Sequence, residues 1–167
     1  MFSRIIILRK SLLCLSLISL IVGCVLGNEK LYFSSFPNGW PQNEGVKFRF
    51  TPERVNSPIN IFLYLRNNDD YPFANIHLIT ALENPIGEKL IDTLSYTMAK
   101  PDGEWLGEGL LVHESKLWFK EAYLFRVVGE HILTVKPAMR YNENSDSIDL
   151  LKGITEVGLG FEPIQRK

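Results

Sequence analysis

Apolar and polar residues alternate along most of the chain beyond residue 45, and this period of two constrains the fold more than any other feature. Successive side chains of a β-strand point to opposite faces, so the alternation predicts strands with one face in the core. A further apolar run fits the same class of structure. The alternating segments are 46–50, 59–66, 90–98, 132–136 and 157–162, and the apolar run is 76–82.

Residues that favour turns separate these segments, and their spacing indicates the fold class. The breaks are rich in Asn, Asp, Gly and Pro, and a strand followed by a turn recurs about every 10 to 15 residues. Because the pattern has no βαβ rhythm, we expect an all-β fold, an antiparallel β-sandwich of the Ig-like or jelly-roll-like kind. The breaks lie at 36–39, 56–58, 67–70, 84–87, 101–103 and 128–130.

Two segments fit the alternation less clearly. Residues 116–125 are compatible with a strand or with one amphipathic helix, and their aromatic content favours a strand. Residues 141–152 are mostly polar and predict a surface loop that ends, at most, in a helical turn.

The first 23 residues have the organisation of a bacterial export signal, which we expect to be helical and to be removed. Three basic residues, Arg4, Arg9 and Lys10, precede an apolar run at 12–22. The uncharged stretch is short for a membrane-spanning helix, which needs about 18 or more apolar residues.

Residues 21–24 resemble the bacterial lipobox, and we therefore expect cleavage after Gly23 and lipidation of Cys24. In such signals the cysteine thiol receives a diacylglyceryl group, and several acyl chains on one residue give stable anchoring. An ordinary secretory signal with a chance cysteine is the alternative. Val25 rather than Asp follows the cysteine, and no acidic run comes after it, which favours the periplasmic face of the outer membrane.

The rest of the 167-residue chain has room for one domain. We assign 24–31 to a lipidated tether and 32–167 to a single β-sandwich domain. Loss of the basic signal changes the net charge from −1 to −4, and the scattered charges argue against nucleic-acid binding. The other cysteine, Cys14, lies within the signal, so the mature domain has no disulfide and no Cys-ligated metal site.

No catalytic motif is recognisable in the sequence. His77, His113 and His131 lack the short spacing of metal ligands, and we interpret them as hydrogen-bonded strand or turn residues. The glycines within 105–109 precede no predicted helix, so they indicate an irregular strand junction rather than a phosphate site. The acidic run 143–149 lacks the glycine and closing glutamate of a calcium loop. We expect no enzymatic activity, cofactor, metal or small-molecule substrate.

Aromatic side chains leave a second function open. Trp40, Trp105 and Trp118 are suited to stacking on sugar rings, so the alternative is a periplasmic lipoprotein that binds glycans through its β-sandwich. We regard these aromatics more readily as core residues, because the domain has no disulfide and needs a large apolar core.

Six stretches together resemble the gliding motility lipoprotein GldH family of Bacteroidetes. Their order and spacing, with the lipobox, are more specific than any one of them, and Lys100 departs from an expected acidic residue. The stretches are FSSFPNGW (33–40), LRNNDDYPFAN (65–75), DTL (92–94), PDGEWLG (101–107), AMR (138–140) and LKGITEVGL (151–159).

The resemblance implies a lipid-anchored envelope component of the gliding machinery, whose parts overlap with the type IX secretion system, and it implies no enzymatic activity. Its partners would be the membrane, through the acyl chains on Cys24, and other gliding or secretion envelope proteins. Sandwiches present loops at their ends, and aromatic and Arg side chains are enriched in binding hot spots. The candidates for partner contact are Tyr71, Phe73, Trp105 and Arg140.

Two short motifs predict O-glycosylation. Bacteroidetes modify Ser or Thr between an Asp and an apolar residue, a pattern that Ser147 and Thr93 fit. Ser147 is the better acceptor, because it lies in a polar loop and Thr93 lies in a predicted strand.

Overall fold

The computed structural model describes residues 30–140 and 148–164, which contain ten β-strands and no helix. Within these two stretches no helix is long and apolar enough to cross a membrane. The predicted signal helix, Cys24 and Ser147 lie outside the described residues. The strands are β1 Lys30–Ser35, β2 Trp40–Pro41, β3 Val46–Phe50, β4 Ile59–Asn67, β5 Asn75–Glu83, β6 Lys89–Thr97, β7 His113–Tyr123, β8 His131–Pro137, β9 Leu150–Leu151 and β10 Ile154–Pro163.

Two four-stranded antiparallel sheets form the sandwich. The first sheet has the order β1-β10-β4-β7 and the second has the order β3-β8-β5-β6, while β2 and β9 pair separately. Among the eight long strands, only β5 and β6 are consecutive neighbours in one sheet, and every other connection crosses between sheets. Two interlocked Greek keys of eight strands define a jelly roll, so the strand order selects this kind of sandwich over the Ig-like kind.

The alternating segments of β3, β4, β8 and β10 bury one face as predicted, whereas β6 contains no buried residue. In β4, Ile61, Leu63 and Leu65 are at most 1% exposed and pack in the core between the sheets. The segment that was compatible with a helix is strand β7, which confirms the reading from its aromatic content.

The opposite face of β4 is also buried, because glycines of β10 make room for aromatic rings. Phe62 and Tyr64 are 4% and 5% exposed, and they pair with Gly160 and Gly158. A Cβ atom at Gly158 would lie 2.6 Å from the Phe33 ring, and one at Gly160 would lie 2.6 Å from the Tyr64 ring. The outer surface of the first sheet is therefore a layer of rings lying over glycine backbone.

The prediction of a surface loop at 141–152 is wrong for its last part. Leu151 is fully buried and Ile148 is 4% exposed. The β9 strand pairs with β2, so that Leu151 lies opposite the fully buried Trp40. These apolar residues close one end of the core. Their burial was not predicted because most of the neighbouring residues in the sequence are polar.

The connections lie at two opposite ends of the sandwich. The tether end includes Lys30, where β1 begins and pairs with Phe161, two residues inside the segment assigned to the tether. Its loops are 51–58, 84–88 and 124–130. The far end has the longer connections 36–45, 68–74 and 98–112 and, of the residues that the structure describes after β8, 138–140 and 148–153.

Candidate functional site

The far end brings together the residues that the sequence identified as candidates for partner contact. Tyr71 and Phe73 lie in the loop after β4, and Trp105 lies in the loop before β7. The Tyr71 ring centroid is 5.6 Å from that of Phe73 and 6.2 Å from that of Trp105. Arg140 is exposed in the loop after β8. The structure thus places three of the four candidates in one aromatic cluster and the fourth at the same end.

Tyr71 does not offer the exposed surface expected of a contact residue. It is 3% exposed, and its hydroxyl donates a hydrogen bond to the backbone oxygen of Asn75 at 2.8 Å. Burial disfavours the charged phenolate and raises the pKa of Tyr71 well above its usual range. Tyr71 therefore supports the two loops from beneath, which corrects the expectation that it contacts a partner directly.

Asp69 connects the aromatic cluster to the start of β7. Its carboxylate accepts a hydrogen bond from Trp105 Nε1 at 3.0 Å and lies 3.3 Å from Nε2 of His113. No group of three His, Cys, Asp or Glu side chains arranged to hold a metal ion occurs within 30–140 and 148–164. The two contacts of Asp69 hold the loop after β4 against the loop before β7.

Among the described residues of the far end, Leu110 and Leu111 are the most exposed apolar side chains, at 93% and 84%. Glu108 and Glu114 exchange two backbone hydrogen bonds, at 2.9 and 2.7 Å, and so close a short hairpin. Gly109 has a φ of 135°, and a Cβ there would overlap the backbone of Val112. This glycine makes the tight turn that directs both leucines outward.

A groove of about 710 Å³ lies beside this hairpin. In its wall Arg66 donates a hydrogen bond to Glu114 at 2.7 Å and another to Glu156. These bonds, that to Glu114 first, raise the pKa of Arg66. The Arg66 guanidinium also lies 4.5 Å from the centre of the Phe33 ring. Since the three charged groups are paired, the groove has a fixed polar wall beside the apolar hairpin tip.

Sequence reasoning missed the two leucines because they belong to no strand. The available signal was the apolar triplet at 110–112, which follows two closely spaced glycines and lacks the period of two. Apolar side chains at such a position have no face of a sheet to pack on.

The three tryptophans do not form a common platform for a sugar. Trp40 is fully buried, Trp105 is half-buried against Asp69, and Trp118 is 53% exposed on the outer surface of the first sheet. The predicted glycosylation site Thr93 is exposed on the outer face of β6.

The histidines are hydrogen-bonded as the sequence indicated. His131 is 3% exposed, with Nδ1 3.1 Å from the backbone oxygen of Gly129. Nε2 of His77 lies 3.2 Å from the side-chain nitrogen of Asn75. Together with the Asp69 contact of His113, these bonds give each ring a structural partner.

Comparisons with known proteins identify similar chains over most of the length. The sequence model of the GldH lipoprotein family matches residues 31–160. The gliding motility lipoprotein GldH homolog of Christiangramia forsetii is 41% identical over 124 residues, which are 74% of this chain and 76% of that protein. Gliding motility lipoprotein GldH of Flavobacterium johnsoniae is 37% identical over 131 residues, 78% of this chain and 81% of that one.

Among solved structures, that of the infectious bursal disease virus Gx strain aligns with 80% of this chain at a TM-score of 0.35 and 11% identity. The chain spans 32% of that protein.

Proposed function

The chain belongs to the GldH lipoprotein family, and from that premise we propose that it is a structural and assembly component of the gliding motility machinery, linked to type IX secretion. It acts by binding other envelope proteins rather than by catalysis. Phe73, Trp105, Arg140 and the two exposed leucines share one end of the fold, which supports a single binding surface there.

Acyl chains on Cys24 hold the domain at the periplasmic face of the outer membrane. Five residues separate Cys24 from Lys30, so the tether end lies within about 20 Å of the lipidated residue. A strand of nine residues, such as β4, spans about 30 Å. The far end therefore projects away from the bilayer, where it can reach proteins of the periplasm.

The single observation that carries the binding proposal is the near-complete exposure of Leu110 and Leu111 on a hydrogen-bonded hairpin. Burial of a leucine side chain contributes about 1.5–3 kcal/mol, so two of them give a partner a substantial apolar contact. The closed hairpin lowers the entropic cost of ordering the tip on binding.

The substitution Leu110→Glu tests this surface. In a strain that lacks the native gene, we expect the variant to fail to restore spreading on agar, because a carboxylate at the tip cannot enter an apolar site without a large desolvation penalty. The wild-type chain should restore spreading. The free energy of unfolding should change by no more than about 0.5 kcal/mol, because the exposed Leu110 side chain makes few contacts in the folded domain.

The matched control is Ile91→Glu. Ile91 is 65% exposed on the outer face of β6, away from the far end. The substitution therefore adds the same charge at an exposed apolar position outside the proposed binding surface. Equal spreading by both variants would reject the hairpin as the contact, and spreading by the deletion strain would reject the motility function itself.

We propose glycosylation of Ser147, which is supported by the Asp-Ser-Ile motif. We expect the mature protein from its native host to carry hexose-sized mass increments that Ser147→Ala removes. Thr93→Ala is the comparison for the second motif. An intact mass equal to that of the lipidated polypeptide would contradict both sites.

A further inference from the structure

A second surface feature lies at the tether end, where a cavity of about 320 Å³ opens between the strand ends and the loop after β3. Its floor consists of Phe50, Phe125 and Phe161, whose ring centroids lie 4.7 to 6.4 Å apart. All three are at most 9% exposed. The floor is therefore an apolar surface made of core residues from both sheets and from the loop before β8.

The wall of the cavity combines three prolines with hydroxyl side chains, those of Tyr32, Thr51 and Ser57. Pro52, Pro58 and Pro163 line it, and proline has no backbone N–H. Polar groups lie at its margin, where Lys30 Nζ is 2.9 Å from Glu53 Oε1 and both side chains are more than half exposed. The aromatic floor and the prolines are suited to an apolar ligand, and the polar side chains leave the mouth of the cavity compatible with water.

We propose that this cavity holds one acyl chain carried by Cys24, an inference that rests on the lipidation proposed above. Lys30, at the start of β1, lines the cavity, and five residues connect it to Cys24. The acyl group is therefore held within about 20 Å of the cavity, at an effective concentration in the millimolar range. A free lipid has no such advantage.

The volume sets how much of the chain enters. An apolar cavity of about 150 Å³ accommodates one benzene molecule, so about 320 Å³ has room for roughly twice as many carbon atoms. The cavity therefore takes part of one long acyl chain, and the other chains remain available to the bilayer. Insertion of this chain fixes the tether end against the membrane surface.

The test uses the full-length protein in its native host, grown with a fatty acid that carries a diazirine and an alkyne. After illumination, mass spectrometry of the purified protein locates the crosslinks. We expect the acyl group of Cys24 to crosslink to peptides containing Tyr32, Phe125 or Phe161, which line the cavity. Adducts with the mass of a phospholipid at these peptides, or crosslinks only outside the cavity, would overturn the proposal.

Two tryptophan substitutions provide the comparison. Ser57→Trp places a large side chain at the cavity wall and should abolish the crosslinks, whereas Ser95→Trp lies on the exposed face of β6 and should retain them. If Ser57→Trp does not fold, the crosslink positions in the wild-type protein are sufficient to test the proposal. Absence of the alkyne label from the protein would reject lipidation and this inference together, while a labelled protein without cavity crosslinks would reject the inference alone.

Discussion

Cys24→Ala is expected to lose all incorporated palmitate and to disappear from the outer-membrane fraction. Without its thiol the chain cannot receive the diacylglyceryl group, so cleavage after Gly23 also fails and the signal is retained. Even a single acyl chain binds membranes only marginally, with an association constant of about 10⁴ M⁻¹. A protein without any acyl chain should therefore be absent from the outer-membrane fraction.

The matched control is Cys14→Ala, which removes the other cysteine from the same signal. Radiolabelled palmitate, fractionation of membranes and the intact mass of the protein measure the outcome. We expect Cys14→Ala to behave like the unaltered chain. Palmitate on the Cys24→Ala protein, or its presence in the outer membrane, would contradict the anchoring proposal.

Trp40→Ala should have the largest effect on stability, a loss of about 3–5 kcal/mol in the free energy of unfolding. Trp40 is fully buried, its ring stacks on Phe36 at 5.4 Å, and its Nε1 donates a hydrogen bond to the backbone oxygen of Glu44 at 3.0 Å. The substitution leaves a cavity beside Leu151 and an unpaired carbonyl. For a domain of this size, the midpoint of thermal unfolding should fall by about 10 °C or more.

Trp118→Ala is the comparison, because it makes the same change at a residue that is 53% exposed. Its main contact is the Phe62 ring at 4.4 Å, so we expect a loss of about 1 kcal/mol. Urea unfolding of the lipidated protein in mild detergent, followed by circular dichroism, gives both values. Similar losses for the two variants would show that the assigned burial of Trp40 is incorrect.

Much of the candidate site could be located from the sequence, but not the role of each residue. Loops with aromatic and Arg side chains predicted a binding end, and Phe73, Trp105 and Arg140 do lie at one end. The hydrogen bond between Asp69 and Trp105 joins residues 36 apart, and the packing beneath Tyr71 involves separate loops. No local pattern contains such contacts, so burial of Tyr71 was not predictable.

Most of the long strands, the sandwich class and the resemblance to a family of lipoproteins could be recognised in the sequence alone, but β1, β2 and β9 could not. These features follow from periodicity, turn residues and short motifs, which act over a few neighbouring residues. The jelly-roll strand order, the burial of both faces of β4 and the place of Leu151 in the core became visible in the folded chain and not before. Each of these depends on contacts between segments far apart in the chain, such as the pairing of Trp40 with Leu151, and such contacts leave no periodic trace in the sequence.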